Sequence, residues 1–172
     1  DYQRSRGLGD VYKRQGLNVL PPGVERHVVN AGGLTGLQIF PDDEIEIINE
    51  EGNQICEIIC FDKDGKSELG ILNQKENCKK SFIKELLKGK DESSLITNLQ
   101  LKKRNLDINK SKSSILFDEQ TPSGEKIKIK SKDKCYVIFA APQNNMLVSE
   151  QNPSSDLTSV SYTHLRAHET AD

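Results

Sequence analysis

Residues 40–61 constrain the fold of this chain more than any other stretch, because they contain two β-type runs separated by a polar turn. In the first run, residues 44–48, glutamates alternate with isoleucines, which predicts a strand with one buried and one solvent-exposed face. The second run, residues 55–61, is apolar at most positions and predicts a strand buried on both faces. Gly52 and Asn53 lie between the runs, and both tolerate the positive φ of a tight turn. The stretch therefore predicts a β-hairpin within a mainly β fold.

The two ends of the sequence resemble translated DNA rather than native protein. Codons for Ser5–Gln15 can spell a transposase adapter used to prepare sequencing libraries, and codons for Val160–Thr170 can spell its reverse complement. Two unrelated protein segments would not be complementary at the DNA level by chance. We therefore expect residues 1–15 and 159–172 to be adapter-derived, which leaves residues 16–158 as a single β-rich domain cut from a longer protein.

Removing these ends changes the chemistry that the sequence offers. Of the three histidines, His164 and His168 fall in the C-terminal adapter segment, so His27 remains. The ends contain five of the 24 Lys and Arg and four of the 26 Asp and Glu, so the remaining 19 and 22 give a formal net charge of about −3. A mildly acidic domain has no overall field that favours nucleic acid or an anionic membrane, and we expect neither as a partner.

The cysteines and the hydropathy pattern bear on the compartment. The four cysteines lack C-x-x-C spacing: Cys56, Cys60, Cys78 and Cys135. A cysteine inside a strand acts as a small buried hydrophobe, so free thiols in a reducing cytoplasm are favoured over a disulfide framework. The sequence has no long uncharged apolar run and thus predicts no transmembrane helix. We expect a cytoplasmic protein without a metal site, because a single histidine leaves too few ligands.

The rest of the domain has the pattern of short strands around a helical insert. Further strands are predicted at residues 24–29, 34–40, 114–117, 126–130 and 135–140. Strict alternation of lysine and isoleucine in residues 126–130 is typical of an edge strand. Helical spacing predicts one helix over residues 81–88 and a second over residues 91–101. In the second helix the predicted buried stripe is Leu95, Ile96 and Leu99. About seven short strands with a one- to two-helix insert imply a small barrel or sandwich.

The sequence contains no complete catalytic motif. It has no Gly-rich dinucleotide loop, P-loop or nucleophile elbow, so we predict no catalytic residue in this domain. Polar residues close to turns or strand ends are the candidates for binding a small molecule: Arg26, His27, Asn53 and Gln54. A lone histidine on a short strand is more often a surface residue than a ligand, because catalytic histidines need partners. The basic run 102–104 lacks interleaved aromatic residues, which favours a solvated helix end over a phosphate site.

Three short motifs resemble the opening of the urea-carboxylase-associated domains of unknown function. They are the Pro-Pro-Gly turn at residues 21–23, the strand at residues 40–48 and the Glu-Gly-Asn-Gln-Ile turn at residues 51–55. The segment from Ala141 to Pro153 looks like the closing loop of that family. The whole run is similar to the N-terminal domain that is joined to glycine-cleavage T-type aminomethyltransferases.

This resemblance implies an accessory, non-catalytic N-terminal domain of a folate-dependent aminomethyltransferase in one-carbon metabolism. The partner would then be a downstream catalytic domain of the same chain, and tetrahydrofolate would belong to the parent rather than to residues 16–158. The alternative is a free-standing small-molecule or metal-binding protein of the urea-carboxylase-associated family. A protein–protein interaction module is the third candidate. Free-standing members carry a middle segment with His and Cys suited to metal, whereas residues 75–105 contain Cys78 and no histidine.

Overall fold

Two antiparallel sheets and a helical layer make up the fold in the computed structural model, which describes residues 23–78, 80–118, 120–142 and 157–162. The strands of this part of the chain are β1 Val24–Val29, β2 Leu34–Ile39, β3 Glu44–Asn49, β4 Glu57–Asp62, β5 Ser113–Ile115, β6 Glu125–Lys130, β7 Cys135–Ala140 and β8 Leu157–Tyr162. Two helices, α1 (Phe82–Leu86) and α2 (Glu92–Lys103), lie between β4 and β5 in the sequence. The predicted mainly β class with a small helical insert is confirmed, and the arrangement is a sandwich rather than a closed barrel.

The strand order places successive early strands in different sheets. Sheet 1 has the order β1-β8-β3-β6, and sheet 2 has the order β2-β7-β4-β5. Every pair in both sheets is antiparallel. Strand β6, with its alternating lysines, lies at an edge of sheet 1, as its sequence predicted.

The predicted hairpin across Gly52 and Asn53 is wrong. Strand β3 pairs with β6 and β8 in sheet 1, whereas β4 pairs with β5 and β7 in sheet 2. Gly52 and Asn53 do adopt positive φ, at 78° and 61°, but residues 50–56 carry the chain from one sheet to the other. The physical reason lies in burial. Strand β3 buries Ile45 and Ile47 on one face and suits an outer sheet, whereas β4 needs cover on both faces.

Sheet 2 is the middle layer of three. One of its faces packs against sheet 1 in a core that includes Ile39, Ile58, Val137, Phe139, Ile45 and Ile129. The other face packs against the helices in a second cluster that includes Ile59, Phe61, Ile138, Ile83 and Leu101. This central position explains why all six residues of β7 are buried.

The predicted buried stripe of α2 faces solvent instead. Its side chains are between 51% and 65% exposed: Leu95, Ile96 and Leu99. The buried residues of the helix are Ser94, Thr97 and Leu101. Polar anchors select this face, since the amide of Asn98 donates to the Leu87 carbonyl at 2.8 Å and the hydroxyl of Ser94 donates to the Leu86 carbonyl at 2.7 Å. The prediction was wrong because it followed apolar spacing and ignored these polar contacts with α1.

The predicted adapter-derived ends fall mostly outside the described residues. Residues 1–15 and 163–172 lie outside them, and so does the predicted closing loop beyond Pro142. Residues 159–162 are described as part of β8. None of the helices in the described ranges is long and apolar enough to cross a membrane.

Candidate small-molecule cleft

A cleft of about 720 Å³ opens between the turn after β1, the start of β2 and helix α2. Its polar lining includes Asn30, Thr35, Asp91, Ser93, Gln100 and Tyr136, and its apolar lining includes Val28 and Leu34. This volume falls in the range of roughly 300–1,000 Å³ that is usual for small-molecule sites. The cleft is therefore large enough for a ligand and has polar groups that could orient one.

Tyr136 of β7 lies at the floor of the cleft, on the face of sheet 2 that meets the helices. The side chain is 6% exposed. It leans over the neighbouring strand β2, where Gly36 leaves room for it: a Cβ at position 36 would stand 1.9 Å from the Tyr136 hydroxyl oxygen. A glycine inside a strand often marks such a close approach. Within the described ranges, no residue forms a hydrogen bond with this hydroxyl, which leaves it open to a ligand in the cleft.

Arg104 covers the ring of Tyr136. Its Cζ atom lies 4.4 Å from the ring centroid, and its Nη1 donates a hydrogen bond to Oε1 of Gln38 at 2.6 Å. Burial raises the pKa of the Tyr136 phenol above its ordinary value, and the positive charge of Arg104 offsets part of that rise. At neutral pH the phenol is therefore an uncharged hydrogen-bond donor at the floor of the cleft.

Asp91 places a negative charge at the helix side of the cleft. It occupies the N-cap position of α2, and its carboxylate accepts hydrogen bonds from the hydroxyls of Ser93 and Ser94, each at 2.7 Å, with the single Ser94 proton shared between this carboxylate and the Leu86 carbonyl. These two hydrogen bonds hold the pKa of Asp91 below its ordinary value, so the carboxylate is ionised at neutral pH. The cleft thus combines a neutral donor, an anionic acceptor and the apolar side chains of Val28 and Leu34.

Two of the predicted ligand-binding residues, Arg26 and His27, lie on β1 and do not line this cleft. Arg26 is exposed, and His27 is half-buried with its Nε2 atom 3.4 Å from a carboxylate oxygen of Glu25. Their side chains point to opposite faces of sheet 1, because they are adjacent in a strand.

The other two, Asn53 and Gln54, hold the connection between the sheets. Gln54 is fully buried, and its Nε2 donates to the carbonyls of Ile55 and Pro142 at 2.9 and 2.8 Å. The backbone N–H of Asn53 donates to the Thr121 carbonyl at 2.8 Å. Strand β8 separates β1 from the strand that leads into this connection, so the two predicted pairs belong to different parts of the fold. Ligand binding by these four residues stays a prediction.

Sequence reasoning missed Tyr136, Gly36 and Asp91 as members of one site. The sequence placed Asp91 at the start of a predicted helix and Tyr136 in a predicted strand, and assigned neither to a site. The glycine at the centre of a predicted strand was the available clue, because it indicates a close approach by another group. The sequence could not indicate which group approaches.

A buried carboxylate, Glu57, is engaged in holding the fold. Its Oε1 accepts from the backbone N–H groups of Phe82 and Ile83 at 2.6 and 3.2 Å. Its Oε2 accepts from the hydroxyls of Ser81 and Ser113 at 2.5 and 2.7 Å. These contacts tie β4 to the start of α1 and to β5.

The cysteines are free thiols and three of them lie in the core between the sheets: Cys56, Cys60 and Cys135. Cys78 is half-buried. Within the described ranges, no group of three or more His, Cys, Asp and Glu side chains is placed to hold a metal ion.

Comparison with known proteins shows similarity to a curated protein and to a solved structure. The chain is 33% identical over 139 residues to trimethylamine-oxide aldolase from Ruegeria pomeroyi, a match that covers 81% of this chain and 18% of that protein. A DUF1989 family protein from Silicibacter pomeroyi, solved by crystallography, aligns with 90% of this chain and 91% of its own at a TM-score of 0.48 and 9% sequence identity. No family model matches.

These similarities bear on the predicted resemblance only in part. The predicted aminomethyltransferase context stays a prediction, because the curated relative is named an aldolase. The chain spans about a fifth of the length of that relative. Over most of its own length, this chain is similar to one part of a much longer enzyme.

Proposed function

We propose that this chain is a small-molecule-binding domain of a longer enzyme, and that its cleft binds a methylated amine or an amine oxide. The observation that carries this proposal is the Tyr136 hydroxyl, which lies at the floor of the cleft without a hydrogen-bond partner among the described residues. The name of the curated relative supports the ligand class, since that protein is an aldolase named for trimethylamine oxide.

The chemistry of the cleft suits such a ligand. An amine oxide presents one oxygen that accepts hydrogen bonds, a positively polarised nitrogen and methyl groups. The neutral phenol of Tyr136 can donate to the oxygen, and the ionised carboxylate of Asp91 favours the positive nitrogen. Val28 and Leu34 offer apolar surface to the methyl groups. The cleft exceeds the volume of trimethylamine oxide itself, so it also suits a larger molecule that ends in such a group.

The accessory role rests on coverage and on motif content. The chain matches 18% of the curated relative and contains no complete catalytic motif, so the bond-breaking chemistry of a parent would reside outside it. The aminomethyltransferase parent and its tetrahydrofolate remain the second candidate, which rests on the motif resemblance at residues 21–55. The two candidates differ in the ligand that the domain should recognise.

A titration of the isotopically labelled chain with trimethylamine N-oxide, and separately with tetrahydrofolate, tests both candidates. We expect trimethylamine N-oxide to shift the backbone amide resonances of Gly36 and Ser93 with a dissociation constant on the order of 1 mM, as suits a ligand of this size. Tyr136→Phe removes the donor and keeps the ring, so the dissociation constant should rise roughly two- to tenfold.

Ser123→Ala is the matched control, because it also removes one hydroxyl but lies outside the cleft lining. Its affinity should equal that of the unmodified chain. Equal affinity of the Tyr136→Phe variant, or no response to trimethylamine N-oxide, would contradict the proposal. Binding of tetrahydrofolate alone would replace it with the folate candidate.

A further inference from the structure

The solvent face of α2 carries an ordered pattern of side chains, two of which, Glu92 and Ile96, also line the cleft. Three exposed apolar residues form its centre: Leu95, Ile96 and Leu99. Glu92 is exposed at the N-terminal end of the same face, and Lys102 and Lys103 are exposed at the C-terminal end. The spacing 92, 95, 96, 99, 102, 103 follows one stripe of an α-helix. We call these six residues the outer stripe of α2.

The outer stripe is complementary to itself in one orientation. If a second copy of α2 is laid antiparallel and centred on residue 97, Leu95 comes opposite Leu99 of the partner subunit. In the same register, Glu92 comes opposite Lys102 of the partner subunit. Within one subunit, Glu92 and Lys102 lie about 15 Å apart along the helix, at 1.5 Å per residue. The acidic end of each helix then meets the basic end of the other, and the helix dipoles oppose one another favourably.

We infer that the outer stripe is a self-association surface through which two copies of this chain pair antiparallel across α2. A twofold interface places the same patch on both subunits, which is what a stripe with an apolar centre and opposite charges at its ends provides. A parallel pairing would place Glu92 beside Glu92 and Lys102 beside Lys102, so charge excludes it. The second copy is therefore the occupant that the charges favour.

The size of the stripe sets the strength of the pairing. A single helix face of 12 residues is smaller than the roughly 800 Å² per partner of a standard interface, so the dimer should form weakly. We expect a dissociation constant on the order of 100 µM for the chain alone. Because opposite charges face each other across the contact, the association should weaken as the salt concentration increases.

Sedimentation velocity of the whole chain between about 10 µM and 1 mM tests this pairing, over the range in which such a dimer would form. The unmodified chain should shift from monomer to dimer across that range. Leu99→Lys places a charge in the apolar centre twice per dimer and should weaken association at least tenfold. Glu92→Lys and Lys102→Glu should each weaken it several-fold, because each creates two like-charge contacts. The double variant Glu92→Lys/Lys102→Glu restores opposite charges and should recover the dimer.

Lys112→Glu is the control for charge reversal, since Lys112 is exposed but lies outside α2. It should associate like the unmodified chain, and circular dichroism should show that every variant is folded. A chain that stays monomeric at 1 mM would overturn the inference. So would a dimer that is indifferent to Leu99→Lys, or a double variant that remains as weak as the single reversals.

Discussion

Among single residues, Glu57 of β4 connects three separate parts of the fold: the start of α1, the residue before it and β5. It is fully buried, and its carboxylate accepts four hydrogen bonds from α1, from Ser81 before it and from Ser113 of β5. A buried carboxylate is tolerated when all its acceptor positions are used in this way. Glu57 thereby fixes the start of the helical layer against the middle sheet.

Replacing Glu57 therefore tests how the helices are held to the sheets. Glu57→Ala leaves two backbone N–H groups and two hydroxyls without their acceptor in the core, and we expect a loss of about 3–5 kcal/mol in the free energy of unfolding. Glu57→Gln should cost much less, because its oxygen can still accept from Phe82 and Ile83 while its NH₂ donates to the Ser81 and Ser113 hydroxyl oxygens. Urea unfolding followed by circular dichroism measures both. A negligible loss in Glu57→Ala would show that the hydrogen bonds of Glu57 contribute little.

At the scale of single residues, the turn chemistry at Gly52 and Asn53 could be predicted from the sequence, and both residues have the positive φ that their type favours. The role of Gln54 could not. Its side chain is satisfied by the Pro142 carbonyl, 88 residues later in the chain, and no local pattern announces that contact. A similarly long separation in sequence also hid the close approach of Tyr136 to Gly36.

Among the elements, β8 carries a buried hydroxyl that its place in sheet 1 leaves without a partner among the described residues. It lies between β1 and β3 in sheet 1, where Ser159 is paired with His27 on one side and Ile47 on the other. Ser159 is buried, and its hydroxyl has no hydrogen-bond partner among the described residues. An apolar side chain would suit this position better. The predicted boundary between residues 158 and 159 stays a prediction.

Two neighbouring hydroxyls of β8 provide a matched test of this fit. Ser159→Ala removes an unsatisfied buried hydroxyl and should raise the free energy of unfolding by about 1 kcal/mol. Thr158→Val removes a hydroxyl that donates to a carboxylate oxygen of Glu50 at 2.9 Å, so it should lower the free energy of unfolding by a similar amount. Thermal unfolding of the two variants gives the signs. Destabilisation by Ser159→Ala would mean that this hydroxyl is satisfied in solution.

The positions of the strands could be predicted far better than their partners. Alternation in β3 and continuous apolarity in β4 identified both strands and the more buried of the two. The prediction of strand pairing failed because a turn with suitable residues can either close a hairpin or pass between two sheets. The choice depends on strands that follow much later in the chain, such as β6 and β7. The prediction of the buried face of α2 failed for a related reason, since Ser94 and Asn98 form hydrogen bonds with the carbonyls of Leu86 and Leu87, at the end of α1.

At the scale of the whole molecule, the cleft arises from three layers rather than from any one segment. Gly36, Asp91 and Tyr136 come from β2, from the cap of α2 and from β7, and they meet because sheet 2 carries the helices on one face. A sequence can predict each element and still not predict the space between them. The layered arrangement also determines which side chains are accessible to solvent, and the reactivity of the thiols reports that accessibility.

Thiol labelling should therefore report the integrity of the whole sandwich. Cys56, Cys60 and Cys135 are buried between the two sheets, where burial raises the pKa of Cys56, and a hydrogen bond with Cys135 together with burial raises that of Cys60. Since all three thiols are buried, they should react only when the sheets separate. Half-buried Cys78 should react in the native state, although burial and the nearby Glu57 charge raise its pKa.

We expect one of the four cysteines to react with a disulfide reagent at neutral pH in the native chain, and all four in denaturant. The native reaction should accelerate as pH rises, because a raised pKa leaves little thiolate at neutral pH. Cys78→Ser should abolish the native phase and leave the slow reaction of the other three unchanged. If two or more thiols react rapidly in that variant, the sheets open in the native state, and the cleft that sheet 2 supports would not be a preformed site.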